Sequence, residues 1–172
     1  MKGGSNTVFI RQLNDKDAEK YLEIRLQALQ TNPEAFASSY QEEKQYPLEV
    51  FQNRLKDDHS YTFGAFENEK LFGVVSLVKE QKIKIKHRAT IYAMYVVPER
   101  RGNGIGKKLL AEAIKQAEKL NGIEQVHLSV VSNNESAKNL YRFLGFETYG
   151  IDKRALKIDD RYYDEELMVL YF

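Results

Sequence analysis

The sequence predicts an α/β domain in which a mixed central sheet is flanked by helices. Two observations predict this class: several short segments alternate apolar and polar residues as strands do, and others repeat apolar residues at helical spacing. A third is their order, which runs strand, two helices, three strands, helix, strand, helix, strand. We expect one domain over residues 1–172, because this length lies within the usual range of about 50 to 250 residues.

The beginning of the chain predicts a strand and then a helix. Val8–Leu13 alternates weakly, and Asn14 or Asp15 then offers an N-cap for a helix that continues to about Leu29. The helix must end before Pro33, since the residue that precedes a proline avoids the helical conformation.

The next segments predict a short helix and a β-hairpin. Pro33–Tyr46 is predicted as a loop or short helix, and Leu48–Lys56 as an amphipathic helix. Tyr61–Phe66 and Leu71–Val78 then have the period of strands, and the polar residues Glu67–Lys70 between them predict a hairpin turn.

The second half of the chain alternates strands with helices. Gln81–Arg88 is polar and basic, which is typical of an exposed loop. Gly104–Leu120 gives the clearest helix, with an apolar stripe that ends at an Asn121-Gly122 cap. The remaining predicted elements are the strands Ala89–Val97, Gln125–Val131 and Leu167–Phe172 and the helix Asn134–Leu144.

The composition excludes several classes of site. The 26 basic and 25 acidic residues leave a net charge of +1, so no global basic field exists to hold nucleic acid or an anionic membrane. The absence of cysteine excludes disulfides and thiolate chemistry, and the three histidines lack the spacing of metal ligands. No apolar run approaches the roughly 20 residues of a membrane span, and Met1–Thr7 lacks the features of an export signal. We therefore expect a cytoplasmic protein without a metal.

A glycine-rich turn lies between the predicted strand Ala89–Val97 and the helix that follows it. Gly102, Gly104 and Gly106 let the backbone turn sharply and approach a ligand closely. The unpaired amides at a helix N-terminus then favour an anion such as phosphate. The spacing fits neither the P-loop nor the G-x-G-x-x-G dinucleotide pattern. The alternative is a flexible turn that only packs strand against helix. Positive charge is added there by Arg100, Arg101, Lys107 and Lys108.

Three segments of the second half carry a resemblance to a known family. Arg101–Gly106 matches the loop pattern Q/R-x-x-G-x-G/A, and Met94–Glu99 before it matches a strand that ends in V-x-P-E. Asn134–Phe146 matches N-x-x-A-x-x-L-Y-x-x-x-G-F at every fixed position. The chain thus resembles the GNAT superfamily of N-acetyltransferases, strongly over Ala89–Tyr149, and within it an uncharacterised bacterial branch.

The resemblance implies a fold, a co-substrate and a reaction. The fold is a GNAT-like, mostly antiparallel sheet flanked by helices. The activity is transfer of an acetyl group from acetyl-CoA to a primary amine, by direct attack in a ternary complex and without a metal. The residues that the resemblance assigns to cofactor binding are Met94, Tyr95, Val96, Arg101, Gly102, Asn103, Gly104, Ile105, Gly106, Lys107 and Asn134.

The resemblance also assigns Tyr141 as the general acid that donates a proton to the thioester sulfur. The phenol suits this role, since a departing thiolate needs a proton or a hydrogen bond and a phenol can supply it. Two simpler roles stay open. Tyr141 lies on the same helical stripe as Ala137 and Leu144 and could be a core residue, and Asn134 could be the helix N-cap.

The general base is left unassigned. Thr90 and Ser129 occupy the positions where many relatives carry a glutamate, and neither hydroxyl is a competent base. His127 shares a strand face with Ser129 and could titrate near neutral pH, or it could be structural. Several acidic residues near the expected acceptor end could favour a cationic amine or could simply lie on solvated faces. They are Glu42, Glu43, Asp164, Glu165 and Glu166.

The acceptor and the oligomeric state also stay open. The acceptor amine could belong to a small molecule, an amino acid, an antibiotic or a protein. A homodimer joined through the C-terminal strand or a sheet edge is compatible with the sequence. The alternative function, suggested by the missing base, is an acyl-CoA-binding regulatory module that uses the same fold without turnover.

Overall fold

The computed structural model describes residues 7–172. The prediction that Met1–Thr7 carries no export signal therefore lies outside the described residues, apart from Thr7. Within the described range, no helix is long and apolar enough to span a membrane.

A seven-stranded sheet forms the centre of the molecule. Its strands are β1 (Phe9–Gln12), β2 (Ser60–Glu67), β3 (Lys70–Lys79), β4 (Arg88–Val96), β5 (Gln125–Val131), β6 (Glu147–Ile158) and β7 (Arg161–Tyr171). They are ordered β1-β2-β3-β4-β5-β7-β6, and every neighbouring pair is antiparallel except β4 and β5. The predicted fold class, a mixed and mostly antiparallel sheet flanked by helices, is confirmed.

Helices cover both faces of this sheet. They are α1 (Ala18–Thr31), α2 (Tyr40–Glu43), α3 (Leu48–Lys56), α4 (Ile105–Lys119) and α5 (Glu135–Phe143). On one face, α1 and α3 bury a cluster that includes Phe51 and Tyr95. On the other face, α4 and α5 bury a second cluster that includes Leu109, Val126 and Tyr141. Each large apolar side chain removed from water in this way contributes about 1.5–3 kcal/mol to folding.

The first helix begins later than its cap predicts. Asn14 does act as a cap: its side chain accepts a hydrogen bond from the Lys16 amide, and the Asp17 carboxylate accepts one from the Asn14 amide, both at 2.9 Å. The turn that follows, Asp15–Asp17, is a 3₁₀ turn, and the α-helix starts at Ala18.

The first hairpin has a tighter turn than the predicted four residues. Glu67 pairs with Lys70, so only Asn68 and Glu69 form the turn, with φ of +48° and +65°. Positive φ at both central residues defines a type I′ turn, whose twist matches that of the flanking strands.

The strand β6 is absent from the sequence-based prediction, and β7 begins six residues before the predicted Leu167. The reason is that β6 lies at the edge of the sheet and most of its side chains are exposed, so it shows no apolar alternation. Charged residues are usual on such an edge because they discourage pairing with other chains. Six strands were predicted where the sheet has seven.

Candidate functional site

The middle of β4 contains a β-bulge. Its pairing with β3 slips between Tyr92 and Tyr95, and Ala93 has a φ of +55°. For a residue with a Cβ this conformation costs about 1 kcal/mol, and a bulge bends the strand and re-aims the side chains beyond it. Such an irregularity in a central strand marks a candidate site.

A cleft opens between β4 and β5 beside this bulge. The two strands pair over three residues only, from Arg88 with Gln125 to Thr90 with His127. Beyond that point β5 pairs with β7 along its whole length, while the rest of β4 has no ladder partner on this side. The backbone of Met94–Val96 therefore borders a gap in the sheet, where a ligand can supply the missing hydrogen-bond partners.

The glycine turn leads from this cleft into α4. Gly102 and Gly104 have φ of +81° and +76°, and a Cβ at either position would meet no atom within 4 Å. The backbone conformation, and not the available space, therefore demands glycine at these positions. Gly104 is the N-cap of α4 and has no capping side chain, so the first amides of the helix are free to bind an anion.

Gly106 is required for a different reason, which is close packing. A Cβ there would lie 3.0 Å from Met94 Cε and 3.7 Å from Leu140 Cδ2. The glycine turn, the end of β4 and α5 therefore meet at one point. These are the three segments that the sequence motifs single out.

The basic residues of the turn have different roles. The Arg101 guanidinium donates to the Val96 carbonyl at 2.8 Å and to Asn32 Oδ1 at 2.7 Å, so it ties the turn to β4 and to the end of α1. Arg100 is paired with Glu67. Lys107 and Lys108 are exposed at the start of α4, with the Lys107 ammonium 4.4 Å from the centre of the Phe143 ring. Arg101 and these two lysines form no ion pair with a carboxylate of the described residues, so their positive charge remains near the free amides.

The position of α5 is fixed by a cap and an ion-pair cluster. Asn134 Oδ1 accepts a hydrogen bond from the Ala137 amide at 3.2 Å, which confirms its capping role. The nearly buried Lys138 contacts Glu135 at 2.7 Å and Glu166 of β7 at 2.9 Å. Glu166, which the sequence left open as an acceptor-side or solvated residue, is therefore an ion-pair partner of α5.

Tyr141 lies on α5 and faces the core beneath α4. Its side chain is 7% exposed, and its ring meets that of Phe146 edge-on at 6.0 Å. Burial raises the pKa of the phenol to about 12, so the hydroxyl is protonated at neutral pH and can act only as a donor or a neutral acceptor. No group within residues 7–172 forms a hydrogen bond with this hydroxyl. Tyr141 can therefore pack in the core and still donate the proton of its hydroxyl group.

A cavity of about 230 Å³ lies where β4 and β5 begin to separate, on the face opposite α4. Thr90 and Ser129, which hold the usual glutamate positions, both line it, as does His127. Its lining residues are Glu80, Ile85, Arg88, Thr90, His127, Leu128, Ser129 and Tyr149. The sequence analysis missed Glu80, Arg88 and Tyr149. The alternating period of β6 was too weak to reveal Tyr149, and the other two residues carried no signal.

The expected acidic residues of α2 are structural. Glu43 is 1% exposed and pairs with Arg25 at 2.9 Å and Arg54 at 3.4 Å. Burial alone would raise its pKa, but the hydrogen bond and charge of Arg25 outweigh burial and leave the pKa below its ordinary value. Glu42 forms a capping box with Ser39, whose hydrogen bonds lower the Glu42 pKa. Neither carboxylate is free to bind an amine.

The acidic residues of β7 face different directions. Asp164 accepts a hydrogen bond from the Arg154 amide at 2.8 Å, within the β6–β7 hairpin. Glu165 is half-buried opposite Asp152, and Ser129 hydrogen-bonds its carboxyl group. Burial, with the charge of Asp152, raises the Glu165 pKa despite that hydrogen bond. Glu165 does not line the cavity itself, but it interacts with Ser129, which does.

Comparison with known proteins assigns the family. The model of the acetyltransferase (GNAT) family matches residues 25–146. An uncharacterized N-acetyltransferase of Methanocaldococcus jannaschii is 31% identical over 157 residues, which cover 90% of this chain and 67% of that protein. The spermidine N(1)-acetyltransferase of Vibrio cholerae is 25% identical over 123 residues, covering 71% of this chain and 69% of that protein.

The fold comparison agrees with the sequence comparison. The crystal structure of an acetyltransferase of the GNAT family from Streptococcus pneumoniae superposes with a TM-score of 0.82 at 26% identity. The superposition covers 96% of this chain and all of that chain.

Proposed function

The chain belongs to the GNAT family and is an acetyl-CoA-dependent N-acetyltransferase, and we propose that it transfers the acetyl group directly to a primary amine in a ternary complex. The observation that carries this proposal is the cleft between β4 and β5. The glycine turn and α5 reach the cleft from one face of the sheet, and the cavity around Thr90 and Ser129 reaches it from the other. Two substrates can therefore approach one reaction centre from opposite sides.

On the donor side, the proposed contacts follow the free backbone groups. The backbone of Met94–Val96 binds the pantetheine arm and the acetyl carbonyl, because it borders the gap in the sheet. The amides of the turn from Gly102 to Lys107 bind the pyrophosphate, supported by the start of α4 and by positive φ at two glycines. Asn134 contacts the cofactor in addition to capping α5, and Arg101 holds the turn in place.

The proposed reaction is a direct attack of the amine on the thioester carbonyl. Charge that develops on the carbonyl oxygen is stabilised by an amide of β4. As the carbon–sulfur bond breaks, the Tyr141 hydroxyl donates its proton to the leaving sulfur and regains one from the new amide nitrogen. The chain has no cysteine, so no thioester intermediate on the enzyme is available.

The acceptor is proposed to be a primary amine, and one relative points to a small molecule. The Vibrio cholerae relative is named for spermidine, a polyamine with primary amines at its ends. The alternative, a CoA-binding module without turnover, was suggested only by the missing glutamate at Thr90 and Ser129. No feature within residues 7–172 favours it.

The proposal is tested with acetyl-CoA and a panel of amines that contains spermidine, free lysine and peptides with a free N-terminus. Release of CoA thiol should be saturable in at least one amine, and initial rates at varied concentrations of both substrates should give intersecting reciprocal plots. Parallel plots, or an acetylated enzyme detected by mass spectrometry, would contradict direct transfer. Tight binding of acetyl-CoA without thiol release across the whole panel would favour the module.

A further inference from the structure

The missing proton acceptor is the open chemical question at this site, because an amine must lose a proton before it can attack. We infer that His127 takes this proton from the acceptor ammonium, with the Tyr149 hydroxyl as the relay between them. The inference rests on the proposed direct transfer to an amine, and it gives that reaction the base that Thr90 and Ser129 cannot supply.

The position of His127 is the first argument. It is the partner of Thr90 in the last residue pair before β4 and β5 separate. Its side chain lines the cavity together with Thr90 and Ser129. An imidazole on β5 can therefore serve the same space that a glutamate at either position would serve.

The hydrogen bonds of His127 are the second argument, because they fix which nitrogen can accept a proton. Nε2 lies 2.7 Å from Gln125 Oε1, and a carbonyl oxygen can only accept, so Nε2 carries the hydrogen. Nδ1 is left with a lone pair and lies 3.3 Å from the Tyr149 hydroxyl. The two rings meet edge-on at 5.6 Å. This arrangement holds Nδ1 toward a phenol that is 55% exposed and lines the cavity.

The surrounding charges are the third argument. Burial lowers the pKa of His127, and electrostatic interactions with Arg88 and His87 on the β4 side lower it further, against the opposing charge of Glu80 at the end of β3. The Tyr149 ring of β6 lies edge-on to the imidazole, and the partner of His127 on β7 is Val169. At pH 7 the imidazole is neutral, with the lone pair of Nδ1 available.

The proton transfers balance in this scheme. One proton passes from the ammonium nitrogen to the Tyr149 oxygen while the Tyr149 hydrogen passes to Nδ1, so Tyr149 is unchanged. The amine then forms the carbon–nitrogen bond, the carbon–sulfur bond breaks, and Tyr141 exchanges protons with the sulfur and the amide nitrogen as described. The imidazolium, attracted by Glu80, finally releases its proton to water. One ammonium and one thioester give one amide, one thiol and one proton.

The rival base is Glu165, and it serves as the matched control. Its carboxyl group is half-buried beside Ser129 on the same side of the sheet, and its pKa is raised by burial and by Asp152. It lies opposite Val131, at the far end of β5 from the Thr90 pair, and it does not line the cavity. Replacing Glu165 by Gln therefore removes a titrating group near the site without disturbing the His127 contacts.

The kinetic test compares His127→Gln, Tyr149→Phe and Glu165→Gln with the parent enzyme, using spermidine or whichever amine of the panel gives the highest kcat/KM. We expect His127→Gln to lower kcat at pH 7 by about 100-fold and to leave the KM for acetyl-CoA unchanged. The variant should also lose the acid limb, which is the decrease of kcat at low pH that protonation of the base causes. The rate of this variant should recover toward pH 10, where the amine is deprotonated in solution. Tyr149→Phe should show a smaller loss with the same recovery. Glu165→Gln should keep the acid limb.

A second measurement needs no acceptor and therefore separates this inference from the proposed function. Histidine ring nitrogens are followed by NMR in ¹⁵N-labelled protein, and the His127 signals are identified by their absence in His127→Gln. We expect an Nε2–H tautomer with a pKa below the ordinary value of a histidine side chain. An acid limb that survives in His127→Gln but disappears in Glu165→Gln, or an imidazolium at pH 7 in the NMR spectrum, would overturn the inference.

Discussion

The two sides of the cleft between β4 and β5 are built in different ways. The proposed donor side is made of backbone: two glycines with positive φ, the free amides of α4 and the unpaired edge of Met94–Val96. The proposed acceptor side is made of side chains that come from the end of β3, the loop after it and three further strands, between Glu80 and Tyr149. A backbone site needs particular residues close together in sequence, so it leaves a motif. A side-chain site can be assembled from distant positions and leaves none.

The largest expected effect tests the donor side. Gly104→Asp should weaken CoA binding about 1,000-fold, or about 4 kcal/mol, because it puts a carboxylate at the helix start that is proposed to hold the pyrophosphate. Titration calorimetry with CoA measures the loss. The control is Gly122→Asp at the other end of α4, where φ is +86° and space is equally open. If both variants lost CoA affinity by the same factor, the loss would come from backbone strain and not from the added charge. The anion site would then lie elsewhere.

The next effect tests whether the acidic residues of α2 belong to the acceptor side. Glu43→Gln should lower the free energy of unfolding by about 3 kcal/mol, since it leaves Arg25 and Arg54 without a buried partner. The folded pKa of Glu43 is lowered, so its stabilisation is present above the unfolded pKa and is lost as the pH falls through the folded pKa. Urea unfolding between pH 3 and 7 should therefore show that the free energy of unfolding falls less with decreasing pH in the variant than in the parent. Glu42→Gln is the exposed neighbour for comparison. If Glu43→Gln left the free energy of unfolding unchanged and raised the KM for the acceptor amine, Glu43 would instead be an acceptor-binding residue.

The third effect tests Tyr141, whose proposed role on the donor side depends on its side chain. Tyr141→Phe should lower kcat by about 100-fold, the lower end of general acid catalysis, and leave the Kd for CoA nearly unchanged. The comparison variant is Tyr21→Phe, which removes the hydroxyl of another buried tyrosine, 4% exposed and packed against Phe51 of α3. Equal turnover in the two variants would leave Tyr141 as a core residue only.

The smallest effect separates the two roles of Asn134. Asn134→Ala should cost about 1 kcal/mol of stability through the lost cap, whereas Asn134→Ser keeps a capping oxygen and should be nearly as stable as the parent. Both should bind CoA about 5-fold more weakly if the amide contacts the cofactor, since one hydrogen bond contributes about 1 kcal/mol. Normal CoA affinity in Asn134→Ser would restrict Asn134 to capping.

The fold and the family were predictable from the sequence because their signals are local. The bounds of Leu48–Lys56 and Gln125–Val131 were predicted correctly, since each combines a clear apolar period with neighbouring stop signals. The edge strand β6 was missed because exposed strands need no apolar alternation. The ion pairs of Glu43 and Glu166 could not be predicted, because nothing local shows that Arg25, Arg54 and Lys138 fold against them. The identity of Thr90 and Ser129 left the base unassigned, and the contacts of His127 on which our inference rests depend on Tyr149, from a strand that the sequence did not reveal.

The bulge at Ala93 has a consequence for how the length of β4 can vary. Before it, the odd-numbered Ala89 and Ile91 pack beneath α4; beyond it, the even-numbered Met94 and Val96 do so, and Tyr95 packs beneath α1. The bulge absorbs one extra residue, so deleting Ala93 would restore regular alternation and leave Met94 and Val96 beneath α4. A strand of the present length without the bulge would instead turn Tyr95 toward α4 and Met94 and Val96 toward α1. The strand can therefore lose its extra residue and keep its two surfaces, but it cannot straighten at its present length without exchanging them.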